Sequence, residues 1–216
     1  MTNNPRKRED YQSLIRQYAD PSSLAYKKLQ LVDSHVTTGI NLLDFGTGPG
    51  ELIELEKPKF DTLYGVDSDE ESLRICRRRF KNDKKIHIVQ SNGTDLTSLF
   101  QNTRFDCIAA CDVLEHMELK NCVELLATFY HLLDLDGKFV FSGPGIFEKV
   151  RIRFGRSPIH IQSHSSYGWL RLIKSAGFQP ISVGSVEFPL IHSPVLRKLL
   201  HIFGQCCVIT ARKGRS

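Results

Sequence analysis

The sequence predicts an α/β domain: a doubly wound, mostly parallel sheet of seven strands with helices on both faces. Three observations carry that prediction. Five short apolar runs recur through the first two thirds of the chain: INLLDF (40–45), TLYGVD (62–67), IHIVQS (86–91), FDCIAAC (105–111) and GKFVFSG (137–143). Helical stretches at Leu52–Glu56, Glu70–Phe80 and Lys120–Leu133 separate them. Strands apolar on both faces, alternating with helices, indicate a parallel sheet covered on both sides. Two further strand candidates, in QPISVGSVEF and QCCVITARK, complete the seven.

Taken in order, residues 9–36 predict one or two helices. Ser22 or Ser23, after Pro21, can cap a helix whose apolar face is Ala25, Leu29, Val32 and Val36. We therefore divide the chain into an N-terminal helical segment, 1–37, and a main domain, 38–216. The helix after the second strand turns Leu73, Cys76 and Phe80 inward and Arg74, Arg78 and Lys81 to solvent. SYGWLRLIKSAGF predicts a helix closed by Gly177, and Val195–Phe203 a short amphipathic helix between the last two strands.

Composition bounds the function. At 216 residues, 41% hydrophobic and 25% charged, the chain has room for one domain with a sizeable core and no mark of extensive disorder. No apolar run approaches the ~20 residues that span a bilayer. The basic N-terminus lacks the apolar segment of a secretory signal. The six cysteines form no CxxC pair, so we expect reduced, mostly structural thiols, a cytoplasmic setting and no metal site. A net charge of +5 permits contact with nucleic acid or anionic lipid without requiring either.

The chemistry concentrates in LLDFGTGPGE, residues 42–51, which leaves the first strand and places Gly46, Gly48 and Gly50 at alternate positions. In a doubly wound sheet that loop belongs at the ligand crevice. A P-loop needs GxxxxGK[ST], and no such lysine follows. The dinucleotide fingerprint GxGxxG needs a small residue where Glu51 stands, and an acid there opposes a pyrophosphate. What remains is D-x-G-x-G-x-G from Asp44 to Gly50. It resembles the first motif of class I S-adenosylmethionine-dependent methyltransferases. Bare backbone suits the methionyl portion of that cofactor, and Asp44 can accept from its ammonium directly or through water.

The rest of the chain extends the resemblance in the right order over roughly residues 38–187. Asp67, 23 residues after Asp44 and followed by Ser68, ends the second strand where the family uses an acid for both ribose hydroxyls. Asn92, beside Gly93, stands where the family often has an acid for the adenine amino group, and its amide oxygen can accept the same bond. Asp95 is expected to cap the next helix. DVLEH (112–116) is similar to a signature of the small-molecule subgroup, including quinone-biosynthesis O-methyltransferases. The resemblance implies a Rossmann-like methyltransferase fold with an antiparallel last strand and S-adenosyl-L-methionine as cofactor. It implies a cofactor set of Asp44, Gly46, Thr47, Gly48, Gly50, Asp67, Ser68, Asn92, Gly93 and Asp112.

For catalysis, His116 is the first candidate base and His160, in RSPIHIQSHSS with His164, the second; each can equally be a structural or solvated residue. The expected acceptor is a small molecule, with oxygen favoured by the subgroup. Two alternatives stay open: an RNA or protein methyltransferase, and a non-catalytic cofactor-binding member. Absence of a [DNS]-P-P-[YFW] motif and of a single basic stripe argues against nucleic acid. Arg151, Arg153 and Arg156, with the stripe Val195, Leu196, Leu199, Leu200 and Phe203, are compatible with peripheral membrane contact, or with a solvated lid and core packing. Oligomeric state is not legible.

Overall fold

The computed structural model describes residues 13, 15–145, 164–186 and 206–214. A helix α1 (Leu24–Asp33) opens the main body, capped by Ser23, whose Oγ accepts from the Tyr26 amide at 3.0 Å. Seven strands follow, β1 (Gly39–Phe45), β2 (Phe60–Asp67), β3 (Ile86–Gln90), β4 (Phe105–Cys111), β5 (Leu133–Pro144), β6 (Phe178–Ser185) and β7 (Cys206–Lys213). The intervening helices are α2 (Glu51–Glu56), α3 (Glu70–Arg79), α4 (Leu96–Leu99), α5 (Leu119–Leu132) and α6 (Ser166–Ser175), with a 3-10 turn at Leu114–His116.

The strand order is β3-β2-β1-β4-β5-β7-β6. Strands β1 to β5 run parallel, while β7 is antiparallel to both β5 and β6. The predicted doubly wound sheet with its antiparallel last strand is borne out. Strand order reverses between β1 and β4, so the loops leaving those two strands flank the crevice where such sheets bind ligands.

Side-chain alternation builds a core on each face. Leu42, Cys107 and Ala109 join Val32 and Val36 of α1, Leu52 and Ile53 of α2 and Cys76 of α3. Their immediate neighbours Leu43, Ile108 and Ala110 join Leu125, Leu126 and Phe129 of α5 and Trp169 and Ile173 of α6. This period of two, applied to strands buried on both sides, is why the runs read as continuously apolar. Leu73, Cys76 and Phe80 are buried and Arg74, Arg78 and Lys81 exposed, as the pattern of α3 required.

Helix α1 is also tied at its C-terminal end. Lys59 reaches Asp33 Oδ1 at 2.5 Å and the fully buried Glu56 carboxylate at 3.1 Å. Burial pushes the Glu56 carboxyl up to about 7 against the pull of Lys59.

Two local expectations change. Strand β5 begins at Leu133, four residues before Gly137, because Leu133 pairs with Phe105 ahead of a register shift. Asp95 sits at the N-cap of α4 without capping it; its carboxylate is taken by the Ser91 hydroxyl instead. Residues His160, Arg151, Arg153 and Arg156 and the Val195–Phe203 stripe lie outside the described residues. The described cysteines are free thiols, all buried except the half-buried Cys111. Among the described residues no helix is long and apolar enough to cross a membrane, and no cluster could hold a metal ion.

Candidate active site

The loop after β1 is held by backbone bonds to the end of β2. The amides of Gly46 and Thr47 both donate to the Val66 carbonyl, at 2.7 and 3.0 Å. The Gly48 amide donates to Asp67 Oδ2 at 2.9 Å, and the Asp69 amide to Oδ1 at 2.9 Å. Gly46, Gly48 and Gly50 all have left-handed backbones, with φ of 78°, 52° and 88°. At Gly46 any side chain is also excluded by packing, since a Cβ would lie 2.0 Å from Val113 Cγ2. A Cβ at Gly48 meets nothing within 4 Å, so that turn faces open space.

Asp44 lies beneath this loop, 2% exposed, and accepts from Thr47 Oγ1 at 2.7 Å. Burial pushes its carboxyl up to about 7; the Thr47 bond pulls the other way and the Asp67 charge adds to the rise. Glu51, the acid that excluded a pyrophosphate reading, opens α2 and pairs with Arg79 at 2.7 Å.

A cavity of about 660 Å³ opens beside the loop. Gly46, Asp67, Ser68, Asn92, Gly93, Asp112 and His116 meet on its wall. Thr47, Gly48 and Gly50 are not on the wall but build the loop that borders it, and Asp44, at the end of β1, lies beneath that loop. Asn92 Oδ1 accepts from both the amide and the hydroxyl of Thr94, at 3.1 and 2.8 Å. That oxygen is thus engaged locally by Thr94, and a ligand that used it would compete with those two bonds. Gly93 has φ of 98° and lies against Phe45 and Leu125.

The loop after β4 brings the second half of the wall. Asp112 is left-handed, φ 55°, although it carries a side chain. Its amide donates to the Ser142 carbonyl at 2.9 Å, and its carboxylate Oδ2 forms a close ion pair with Lys28 of α1. Burial pulls the Lys28 ammonium down, but the Asp112 charge and hydrogen bond push it up further, so it stays protonated. Burial and then the Asp112 charge push the Tyr18 phenol above its ordinary range, marking Tyr18 as a neighbour of the pair. His116 ends the 3-10 turn and lines the cavity.

Sequence reasoning missed two contributions. Asn121, Glu124, Leu125 and Thr128 line the cavity from α5, and their spacing of three and four is the one signal that puts them on a single helix face. Lys28 gave no signal, because its partner is remote in sequence.

The wall's chemistry favours a particular ligand. Four acids line the cavity, Asp67, Glu118, Glu124 and the Lys28-paired Asp112, and no lysine or arginine is on the wall among the described residues. Such a wall suits a ligand with positive charge and hydroxyl groups and opposes one with phosphates. S-adenosylmethionine, with its sulfonium, ammonium and ribose, has that chemistry.

Comparison with known proteins agrees. A family described as "Methyltransferase domain" matches residues 11–183. The rRNA N(6)-adenosine-methyltransferase metl-5 of Caenorhabditis elegans is 30% identical over 98 residues, 43% of this chain and 46% of that protein. The ribosomal protein L11 methyltransferase of Dictyoglomus turgidum is 28% identical over 117 residues, 53% of this chain and 36% of that protein. The chain thus spans less than half the length of the curated relatives it matches. In fold it is similar to a TehB-like SAM-dependent methyltransferase from Corynebacterium glutamicum, with a TM-score of 0.68 at 19% identity over 98% of this chain and 100% of that one. The chain belongs to the methyltransferase-domain family of class I S-adenosylmethionine-dependent methyltransferases, and the wall's chemistry fits that cofactor.

Proposed function

We propose that the protein transfers a methyl group to a small-molecule acceptor, at an oxygen of a quinone-, lipid- or saccharide-type metabolite. The observation that carries this reading is the loop after β4. It is built from Asp112, Val113 and Leu114, with Leu114 buried in the core and Asp112 committed to Lys28. A clamp for the flat amino groups of bases or side chains needs prolines and an aromatic ring at that place, and none is there.

The cofactor supplies an electrophilic methyl on a sulfonium. The remaining work is positioning, which can lower such a barrier by ~7–11 kcal/mol. Asp67 keeps acceptor capacity beyond its two backbone bonds and is assigned the ribose hydroxyls. The Gly46–Gly50 loop is assigned the methionyl end, with Asp44 acting from beneath it through Thr47. Asn92 and Gly93 are assigned the adenine edge. His116 is assigned the proton of an acceptor that must lose one; His160 is the second candidate.

Asp67→Ala should weaken S-adenosylmethionine binding at least about tenfold by calorimetry, since it also unties Gly48 and Asp69. His116→Gln should lower turnover while leaving cofactor affinity unchanged; unchanged turnover removes it as base. Incubation of the protein with labelled S-adenosylmethionine and fractionated cell extract should place label in the small-molecule fraction.

The curated relatives favour a second reading, since by name they act on rRNA adenosine and on a ribosomal protein. Label in RNA or protein, absent from small molecules, would establish that reading and overturn ours.

A further inference from the structure

We infer that Lys28, contributed by the N-terminal helix, is a specificity-determining residue of the cofactor cavity. By neutralising the Asp112 carboxylate on the cavity wall, it limits the advantage the site gives the charged sulfonium donor over the neutral thioether product. The inference rests on the reading of this cavity as the S-adenosylmethionine site.

Donor and product differ by one methyl group and one positive charge, so a fixed charge near the site is the lever that separates them. Asp112 is well placed to be that charge. In the register of β1 and β4, Phe45 stands opposite Ala110, so Gly46 is level with Cys111 and Asp112 follows one residue beyond. Gly46 packs directly on Val113, the next residue, and both Gly46 and Asp112 line the cavity.

The Lys28 and Asp112 side chains are only 18% and 27% exposed, so solvent screens the pair weakly. A left-handed aspartate at a cavity wall is a strained conformation of the kind that persists where the surroundings hold it in place. Among the described residues, Lys28 is the cation paired with that carboxylate.

The consequence for catalysis follows from charge. Methyl transfer removes the sulfonium charge, so a bare carboxylate beside it would stabilise the starting complex more than the transition state. It would also favour donor over product in binding. Two unit charges roughly 8 Å apart at an effective dielectric of about 20 interact by enough to change an affinity more than tenfold. The paired Lys28 opposes the field of the Asp112 carboxylate.

The test is calorimetric titration of S-adenosylmethionine and S-adenosylhomocysteine into the wild type, Lys28→Met, Lys28→Arg, Asp112→Asn and the Lys28→Met/Asp112→Asn double variant. Lys28→Met should raise the preference for the sulfonium about fivefold or more, and Asp112→Asn should lower it by a similar factor. The double variant and Lys28→Arg should return near the wild-type ratio. Ratios unmoved in both single variants, with both ligands still binding, would overturn the inference. So would an equal loss of both affinities with a lowered melting temperature, the mark of a purely structural ion pair. Failure of the wild type to bind either ligand would instead overturn the assignment of the cavity.

Discussion

The loop leaving β1 and the loop leaving β4 stand side by side at the carboxyl ends of the central strands, and both turn through left-handed backbone. They achieve it by opposite means. The first uses glycine, for which that conformation carries no steric penalty, and fixes it with amides bonded to the adjacent Val66 and Asp67. The second uses an aspartate, retained by Lys28 from a helix 84 positions upstream. One turn is specified locally and the other by tertiary structure. The difference separates a turn fixed by its own backbone from a charge arrangement that depends on a distant helix.

Breaking the first turn should have the largest effect. Gly46→Val combines a left-handed valine with a clash on Val113 and should lower unfolding free energy by about 3 kcal/mol or more, measured by urea denaturation. Cofactor binding should be lost with it. Gly46→Ala paired with Val113→Ala relieves the clash and should leave only the backbone penalty of about 1 kcal/mol.

A middle-sized effect should come from pH. The Asp44 carboxyl, ordinarily near 3.8, is raised to about 7 by burial under the first loop. A folded value above the unfolded one means that its contribution to stability is complete below the ordinary value and fades as pH rises through about 7. A bound ammonium group favours the ionised form, so binding releases a proton below that point. Cofactor affinity should therefore rise roughly tenfold from about pH 5.5 to about pH 7.5 and then level, and Asp44→Asn should flatten the profile. A flat wild-type profile would separate Asp44 from the ligand.

The smallest effect sharpens the second turn. In a Lys28→Met background, Asp112→Gly should raise unfolding free energy by up to about 1 kcal/mol, because glycine relieves the left-handed strain once the ion pair is gone. In the wild-type background the same substitution should lose that gain by stranding Lys28.

The contrast also explains what the sequence could tell. The strands, the Gly46–Gly50 turn and the position of Asp67 were legible because each depends on neighbours within a few residues or on strict alternation, as with Leu42 and Leu43 facing opposite cores. Asn92 was legible as a position but not in its bonding, since Thr94 competes for the oxygen that a ligand was expected to use. Asp95 was misassigned for a similar reason, its carboxylate being claimed by Ser91 rather than by the helix. The Lys28–Asp112 pair and the place of the α5 wall depend on packing between remote segments. Spacing puts Asn121, Glu124 and Thr128 on one helix face but does not say that the face meets the cavity.

The position of β7 between β5 and β6 has a consequence for how the molecule assembles. Strand β6 pairs with β7, and β7 begins at Cys206, 21 residues after β6 ends. During synthesis β6 therefore emerges with no β7 to receive it, and the β5 edge stays open over the same interval. Closing that gap requires a strand to insert between two others already made, a non-local step that slows folding and leaves sheet edges exposed meanwhile. The parallel β1–β4 core can form earlier, so the kinetic weak point of this chain lies at the far side of the sheet from its glycine loop.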